Sequence, residues 1–462
     1  MTAEPHSNPL SPERHHGPRL DPQALGLVTD LYQLTMMAGY RARGVHQRPA
    51  IFEVFIRRLP PGRGAMIFAG LEPLLQDLVN LRFSAEQIEW LKSLAIFQNA
   101  TIPSAFWEEL AVLRFTGDVW AMREGEVAFA NEPLMRVQAP LSEAQWIESY
   151  VLASLSYPTL VATKAARMVQ AAKGRPVIDF GLRRGHGPHA GLLAARVGWI
   201  AGFAGTSHVE AARLWNIPAF GTMAHAWIQS YGEERETDAF AEFAALFPHA
   251  PTVLVDTFET LEGIRKAARI HPPVAAIRLD SGDLPNLARR ARAILDDHQR
   301  SSTRIFASGD LDEYKIDALT RAEVPIDAFG VGTEFITGGD IPKLSIVYKL
   351  VELDGRPVIK RAEGKRTHPF GKQVWRSQDC VGIFRGDYVT HRDESAEGEP
   401  LLIPAIAGGR LVEPRPNLET IRAYCADRWA NIPAELRDLQ HPGTYPVSYS
   451  ERLERASRAM GL

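Results

Sequence analysis

Cysteine is scarce: the 462-residue chain holds two, Cys380 and Cys425. Two thiols exclude a disulfide framework and a cysteine-rich zinc site. Long apolar runs are missing as well. No stretch reaches the roughly 18 consecutive apolar residues that mark a membrane-spanning helix, so none is expected. Residues 1–22 lack the apolar centre of a signal peptide. They read as part of a disordered tail, residues 1–24, on a cytoplasmic protein. Neither sign of charge dominates: Lys plus Arg is 52, Asp plus Glu is 55, and the formal net charge is −3. Without a global basic excess, neither nucleic acid nor an anionic membrane is an expected partner. Internal repeats, a Walker A sequence and a GxGxxG fingerprint are absent too.

What is present suits a globular enzyme, with 45% hydrophobic and 23% charged residues. Residues 25–140 read as mixed helices and short strands. Residues 142–169 read as helical, with an interruption at Tyr157-Pro158. From residue 176 a unit recurs seven times: a short apolar run, an abrupt polar or glycine-rich end, and usually an amphipathic helix. Its apolar runs lie at 176–180, 200–203, 217–220, 252–255, 274–279, 303–307 and 326–329. Continuous apolar strands alternating with helices predict a parallel sheet covered on both faces. Chemistry-bearing residues stand at nearly every strand end. An open sheet concentrates its site at one switch point, whereas a barrel gathers every strand end at one mouth. The expected fold is therefore α/β: an irregular or incomplete (β/α) barrel over 141–364. Residues 25–140 and 365–462 would form an α+β domain packed on it.

The strand ends supply carboxylates (Asp256, Asp280, Asp283, Asp310), cations (Arg183, Arg184, Arg278), small loops and two histidines, His208 and His225. Each element alone is weak. Asp280-Ser281-Gly282-Asp283 reads equally well as a turn that caps a helix. Together, arginines, hydroxyls and glycine turns suit a phosphorylated anion, and the carboxylates suit Mg²⁺. The pattern by itself points to a Mg²⁺-dependent enzyme acting on a phosphate ester.

An ordered set of segments then makes the reading specific. Thr29-Asp-Leu-Tyr-Gln-Leu-Thr-Met, Asp179-Phe-Gly-Leu-Arg-Arg, Gly205-Thr-Ser and Gly221-Thr-Met-Ala-His come first. Ile277-Arg-Leu-Asp-Ser-Gly-Asp, Ser308-Gly-Asp-Leu-Asp-Glu, Gly330-Val-Gly-Thr and Tyr348-Lys-Leu-Val-Glu follow. In this order they resemble the nicotinate phosphoribosyltransferases over about residues 25–376. The resemblance implies conversion of nicotinate and phosphoribosyl pyrophosphate to nicotinate mononucleotide and pyrophosphate. It also implies ATP as co-substrate, Mg²⁺, and a homodimer with shared active sites.

The resemblance also assigns roles. Phe180 would stack on the pyridine, with Tyr32 of the partner subunit covering the other face. Arg183 and Arg278 would meet the carboxylate and the phosphates. Thr206 and Ser207 would face the base, and a neutral Ser207 suits an acid better than the Asp of the nicotinamide enzymes. His225 would accept a phosphoryl group from ATP, oriented by Asp256 or Asp280. Asp280 and Asp283 would serve Mg²⁺, with Ser281 against the substrate. Gly309, Asp310, Gly332 and Thr333 would hold the 5′-phosphate. Two stretches depart from the family pattern: Gly185-His186-Gly187-Pro188-His189, and 367–372, where Phe370 replaces a glycine. The competing readings are a nicotinamide or quinolinate phosphoribosyltransferase, and a non-catalytic paralogue that binds phosphoribosyl metabolites.

Overall fold

Strands without polar alternation need cover on both faces, and a parallel sheet flanked by helices supplies it. The computed structural model describes residues 20, 21, 24–360 and 367–461. Most of the expected tail therefore lies outside the described residues. The parallel sheet has six strands, in the order Gly205–Thr206, Val177–Asp179, Ala328–Val331, Arg304–Ala307, Ala276–Leu279 and Thr252–Leu254. All five pairings are parallel. Among the described residues the sheet does not close, and the barrel is incomplete.

The sequence misplaces two of its seven strands. Residue Ile200 closes the helix Pro188–Ile200, and the strand is the later pair Gly205–Thr206. The apolar run 200–203 straddles the helix end: Ile200 is its last residue, and the chain turns at Gly202, φ +111°. Residues 217–220 contribute a single bridge, Thr206 to Ala219. Pro218 has no N–H to extend a ladder. The expected break at Tyr157-Pro158 is also absent. The chain breaks at Ile147, and Pro158 lies inside the continuous helix Glu148–Ala172. A proline there forfeits one helical hydrogen bond, but burial along this helix outweighs the loss.

The chain ends interleave around the barrel. A seven-stranded sheet runs Arg356–Pro357, Ile346–Leu353, Pro49–Ile56, Pro133–Pro140, Asp118–Ala121, Ile403–Ala407 and Arg410–Leu411. Ile346–Leu353, grouped with the barrel on sequence, thus hydrogen-bonds within this second sheet. A four-stranded sheet of Glu399–Pro400, Lys372–Gln378, Phe384–His391 and Val447–Tyr449 lies beyond it.

Arg376 anchors that smaller sheet. Its fully buried guanidinium pairs with Asp387 at 2.6 Å and Glu126 at 2.6 Å, and Arg428 shares Glu126 at 2.8 Å. Removing one partner of a buried pair costs about 3–5 kcal/mol, because the remaining charge is stranded. Arg376→Met is expected to lower the free energy of unfolding by an amount in that range, seen as a lower urea midpoint. Arg385→Ala, which breaks the exposed pair with Asp379, is expected to leave the midpoint in place. Urea titration of both variants checks the contrast.

Candidate active site

Because the strands are parallel, their C-terminal ends open on one side. There, Phe180 follows Val177–Asp179, and Asp280 follows Ala276–Leu279. Ser308 follows Arg304–Ala307, and Gly332 follows Ala328–Val331. With Arg183, Arg184, Arg278, Gly309, Asp310, Gly330, Val331 and Thr333 they line a cavity of about 170 Å³. A larger cavity of about 470 Å³ opens in the second domain between Glu53 and Arg458. Both cavities are lined by charged groups, but the smaller one lies at the parallel strand ends and sets three arginines beside glycine turns.

Arg278 is the centre of this site. It is 8% exposed. Its Nε donates to Ser308 Oγ at 2.8 Å, and one terminal nitrogen donates to Asp280 Oδ1 at 2.6 Å. The other reaches Thr222 Oγ1 at 3.3 Å. The guanidinium lies 5.2 Å from the centre of the Phe180 ring, a cation–π distance. Ser308 also donates to Asp280 Oδ1. Burial pushes the Asp280 carboxyl up, but the Ser308 hydroxyl and the Arg278 charge outweigh it and hold Asp280 below its ordinary value.

Asp256 and His225 adjoin this centre. Asp256 Oδ2 accepts from the Asp280 backbone N–H at 2.8 Å and from Ser281 Oγ at 2.9 Å. Its Oδ1 is buried and has no hydrogen-bond partner among the described residues. His225 opens the short helix His225–Gln229. Its Nδ1 lies 3.1 Å from Thr257 Oγ1, and its Nε2 lies 4.0 Å from Asp280 Oδ2.

Phe180, Arg183, Arg278, Asp280, Gly309, Asp310, Gly332 and Thr333 thus share one cavity, and Asp256, Ser281 and His225 connect to it through Asp280. Four expected residues stand apart. Thr206 is 1% exposed, and its hydroxyl donates to buried Asp179 at 2.6 Å. Ser207 is half-buried beside it and lies outside the lining. Asp283 is exposed and caps the helix Leu284–Asp297 by accepting from Asn286 N–H at 3.3 Å. Tyr32 is 49% exposed on the helix Leu31–Ala42, away from the lining within one chain. Ser308, Thr222 and Thr257 were missed as site residues. Ser308 stands in a motif already noted, but a lone hydroxyl at a turn carries no mark of what it will bond.

Family models match three segments in order. The NAPRTase N-terminal domain covers 27–156, the nicotinate phosphoribosyltransferase (NAPRTase) family 176–379, and the NAPRTase C-terminal domain 394–457. The nicotinate phosphoribosyltransferase pncB2 of Mycobacterium tuberculosis is 42% identical over 435 residues, 92% of each chain. The chain belongs to the nicotinate phosphoribosyltransferase family. The nicotinate phosphoribosyltransferase of Bacillus subtilis is 37% identical, with 93% of each chain covered. Among solved structures, human nicotinic acid phosphoribosyltransferase superposes with a TM-score of 0.82 at 27% identity, covering 94% of this chain and all of that one. Phe370 takes φ +69°, in the left-handed region that glycine prefers.

Gly309 takes φ +96°, and a Cβ there would lie 2.0 Å from the Asp280 carbonyl oxygen. Gly309→Ala must therefore push the 308–310 turn away from Asp280. It is expected to lower kcat/KM on the order of 100-fold, the effect of a displacement near 1 Å at a site. Steady-state kinetics on a folded variant checks this.

Proposed function

We propose that this enzyme transfers the phosphoribosyl group from phosphoribosyl pyrophosphate to nicotinate, feeding NAD biosynthesis by salvage. The observation that carries the reading is the Arg278–Asp280–Ser308 centre beside Phe180, inside the segment that matches the family. The nicotinate ring nitrogen forms a bond to ribosyl C1 while the C1–oxygen bond to pyrophosphate breaks. No general base is needed, because the pyridine nitrogen already carries a lone pair. Phe180 offers a ring face, and Arg183 and Arg278 offer cationic donors to the carboxylate and the phosphates. The Gly309-Asp310 and Gly332-Thr333 turns offer backbone N–H groups and a hydroxyl to the 5′-phosphate. Asp280 opposes the positive charge that grows on the ribosyl carbon.

Mg²⁺ fits this donor set in part. Among the described residues no group of three His, Cys, Asp or Glu side chains is placed to hold a metal by itself. Mg²⁺ bound through substrate phosphates needs one or two carboxylates. Asp280, and Asp256 with its unpartnered buried Oδ1, suit that need. Asp283 suits it less, since its carboxylate caps a helix. When bound, the ion would neutralise the departing pyrophosphate.

ATP use is assigned to His225. The Thr257 contact at Nδ1 leaves Nε2 as the nitrogen to accept the γ-phosphoryl group, with ADP leaving. The active enzyme is read as a homodimer in which the partner's Tyr32 covers the second face of the pyridine. A cytoplasmic setting fits such a reaction. Among the described residues no helix is long and apolar enough to cross a membrane.

A product assay tests the reading. Purified protein receives phosphoribosyl pyrophosphate and Mg²⁺ with nicotinate, nicotinamide or quinolinate, each with and without ATP. Nicotinate mononucleotide is the expected product, formed faster with ATP and alongside ADP. His225→Ala is expected to abolish nicotinate-dependent ADP release while product still forms slowly; undiminished ADP release would remove the phosphohistidine role. Ser207→Asp is expected to cut the preference for nicotinate over nicotinamide at least about tenfold in kcat/KM, the scale of one added charge repulsion. An unchanged ratio would detach Ser207 from selectivity.

A further inference from the structure

Asp179 lies outside the cavity lining and is 2% exposed. Yet it binds both loops between which the base is proposed to sit. Its Oδ1 accepts from Gly181 N–H at 2.7 Å, in the turn that joins Phe180 to Arg183. Its Oδ2 accepts from Thr206 Oγ1 at 2.6 Å. Its backbone carbonyl accepts from Ser207 N–H at 2.8 Å. Thr206 Oγ1 in turn accepts from His208 N–H at 2.9 Å, which fixes the direction of its own proton towards Asp179.

This clasp stands where the sheet is thinnest. The strand Gly205–Thr206 is two residues long and pairs with the neighbouring strand only through Ile178 with Gly205 and Asp179 with Thr206. Beyond it there is a single bridge to Ala219. So short a ladder ties the 206–208 turn to the 180–184 turn through few backbone bonds, Ser207 N–H to the Asp179 carbonyl among them, and the Asp179 side chain adds the bonds to Thr206 and Gly181. The ring it positions has little slack, because a Cβ at Gly330 would already meet Phe180 at 2.9 Å. Both carboxylate oxygens receive donors from these loops, so the negative charge of Asp179 is turned away from an incoming carboxylate.

We infer that Asp179, acting with Thr206, is the positioning residue that sets the spacing between the Phe180–Arg183 turn and Ser207, and thereby the enzyme's hold on its pyridine substrate. Thr206 is thus a relay within the wall, distinct from a group that touches the base. The inference rests on the proposed nicotinate reaction.

The test compares Thr206→Val, Thr206→Ser and Asp179→Asn with the wild-type enzyme. Valine keeps the shape and deletes the donor, whereas serine keeps the hydroxyl. Asparagine presents an N–H₂ to a hydroxyl that already accepts from His208, leaving the Thr206 proton without its acceptor. Thr206→Val and Asp179→Asn are expected to raise the KM for nicotinate about tenfold, with the KM for phosphoribosyl pyrophosphate within twofold of wild type. Thr206→Ser is expected to match the wild type. Equal rises in both KM values, or an unchanged nicotinate KM, would overturn the positioning role. If Asp179→Asn does not fold, the Thr206 pair decides. A wild-type enzyme that makes no nicotinate mononucleotide would instead overturn the reaction on which the inference rests.

Discussion

A guanidinium buried at the mouth of the sheet is the constraint on which the site is built. Arg278 can stay there because neighbours from several segments meet it. An unpaired buried charge would cost several kcal/mol. Asp280 comes from the end of the same strand, Ser308 from the next, Thr222 from the loop beyond Ala219, and Phe180 from the far side of the mouth. Satisfying one arginine therefore fixes the relative position of four chain segments. The glycines follow from it. Gly309 lets its turn close on the Asp280 carbonyl, and Gly330 leaves room for the Phe180 and Phe306 rings, each of which a Cβ would meet at 2.9 Å.

The two domains are held in register by a second group of buried charges. Glu313 is met by Lys164 at 2.7 Å, Arg167 at 3.0 Å and Arg63 at 3.2 Å, and Asp340 pairs with Arg63 and Lys164. Arg63 comes from the loop after the strand Pro49–Ile56, and its partners come from barrel helices and a barrel loop. The helix Glu148–Ala172 spans the same boundary. Val151, Leu155 and Leu160 pack in the core of the second domain, and Val161 to Ala172 pack in the barrel core. Pro158 sits near that changeover. Both ends of the helix are fixed by different cores, which is why a proline that reads as a break leaves the helix whole.

Much of this was legible in the sequence because parallel strands are written twice, once as apolar runs and once as abrupt polar ends. The runs that give way to Gly181, Asp256, Asp280, Ser308 and Gly330 are all legible that way. The two-residue strand Gly205–Thr206 was not, since no periodicity can show in two residues and the adjacent apolar run straddles a helix end. Direction was the other blind spot. Thr206 and Ser308 are both hydroxyls at strand ends, yet one hydroxyl turns to a buried aspartate and the other to the cavity's arginine. Asp280 and Asp283 lie three residues apart in a segment that reads both as a site and as a cap. The fold uses both readings: Asp280 meets Arg278, and Asp283 caps the helix that follows.

The arrangement of donors explains how a mouth rich in carboxylates can still receive anions. Asp179 is buried with both oxygens occupied by Gly181 and Thr206. Asp280 is matched by Arg278 and Ser308, and one oxygen of Asp256 is taken by the Asp280 N–H and Ser281. These three acids are thus held in hydrogen bonds within the wall, while Arg183, Arg184 and the carboxylate of Asp310 stand exposed at the rim. A field set by exposed cations over internally satisfied carboxylates draws negative groups inward. Asp179 and one oxygen each of Asp280 and Asp256 cost little attraction, because protein donors meet them, while the second oxygens of Asp280 and Asp256 stay available to a cation.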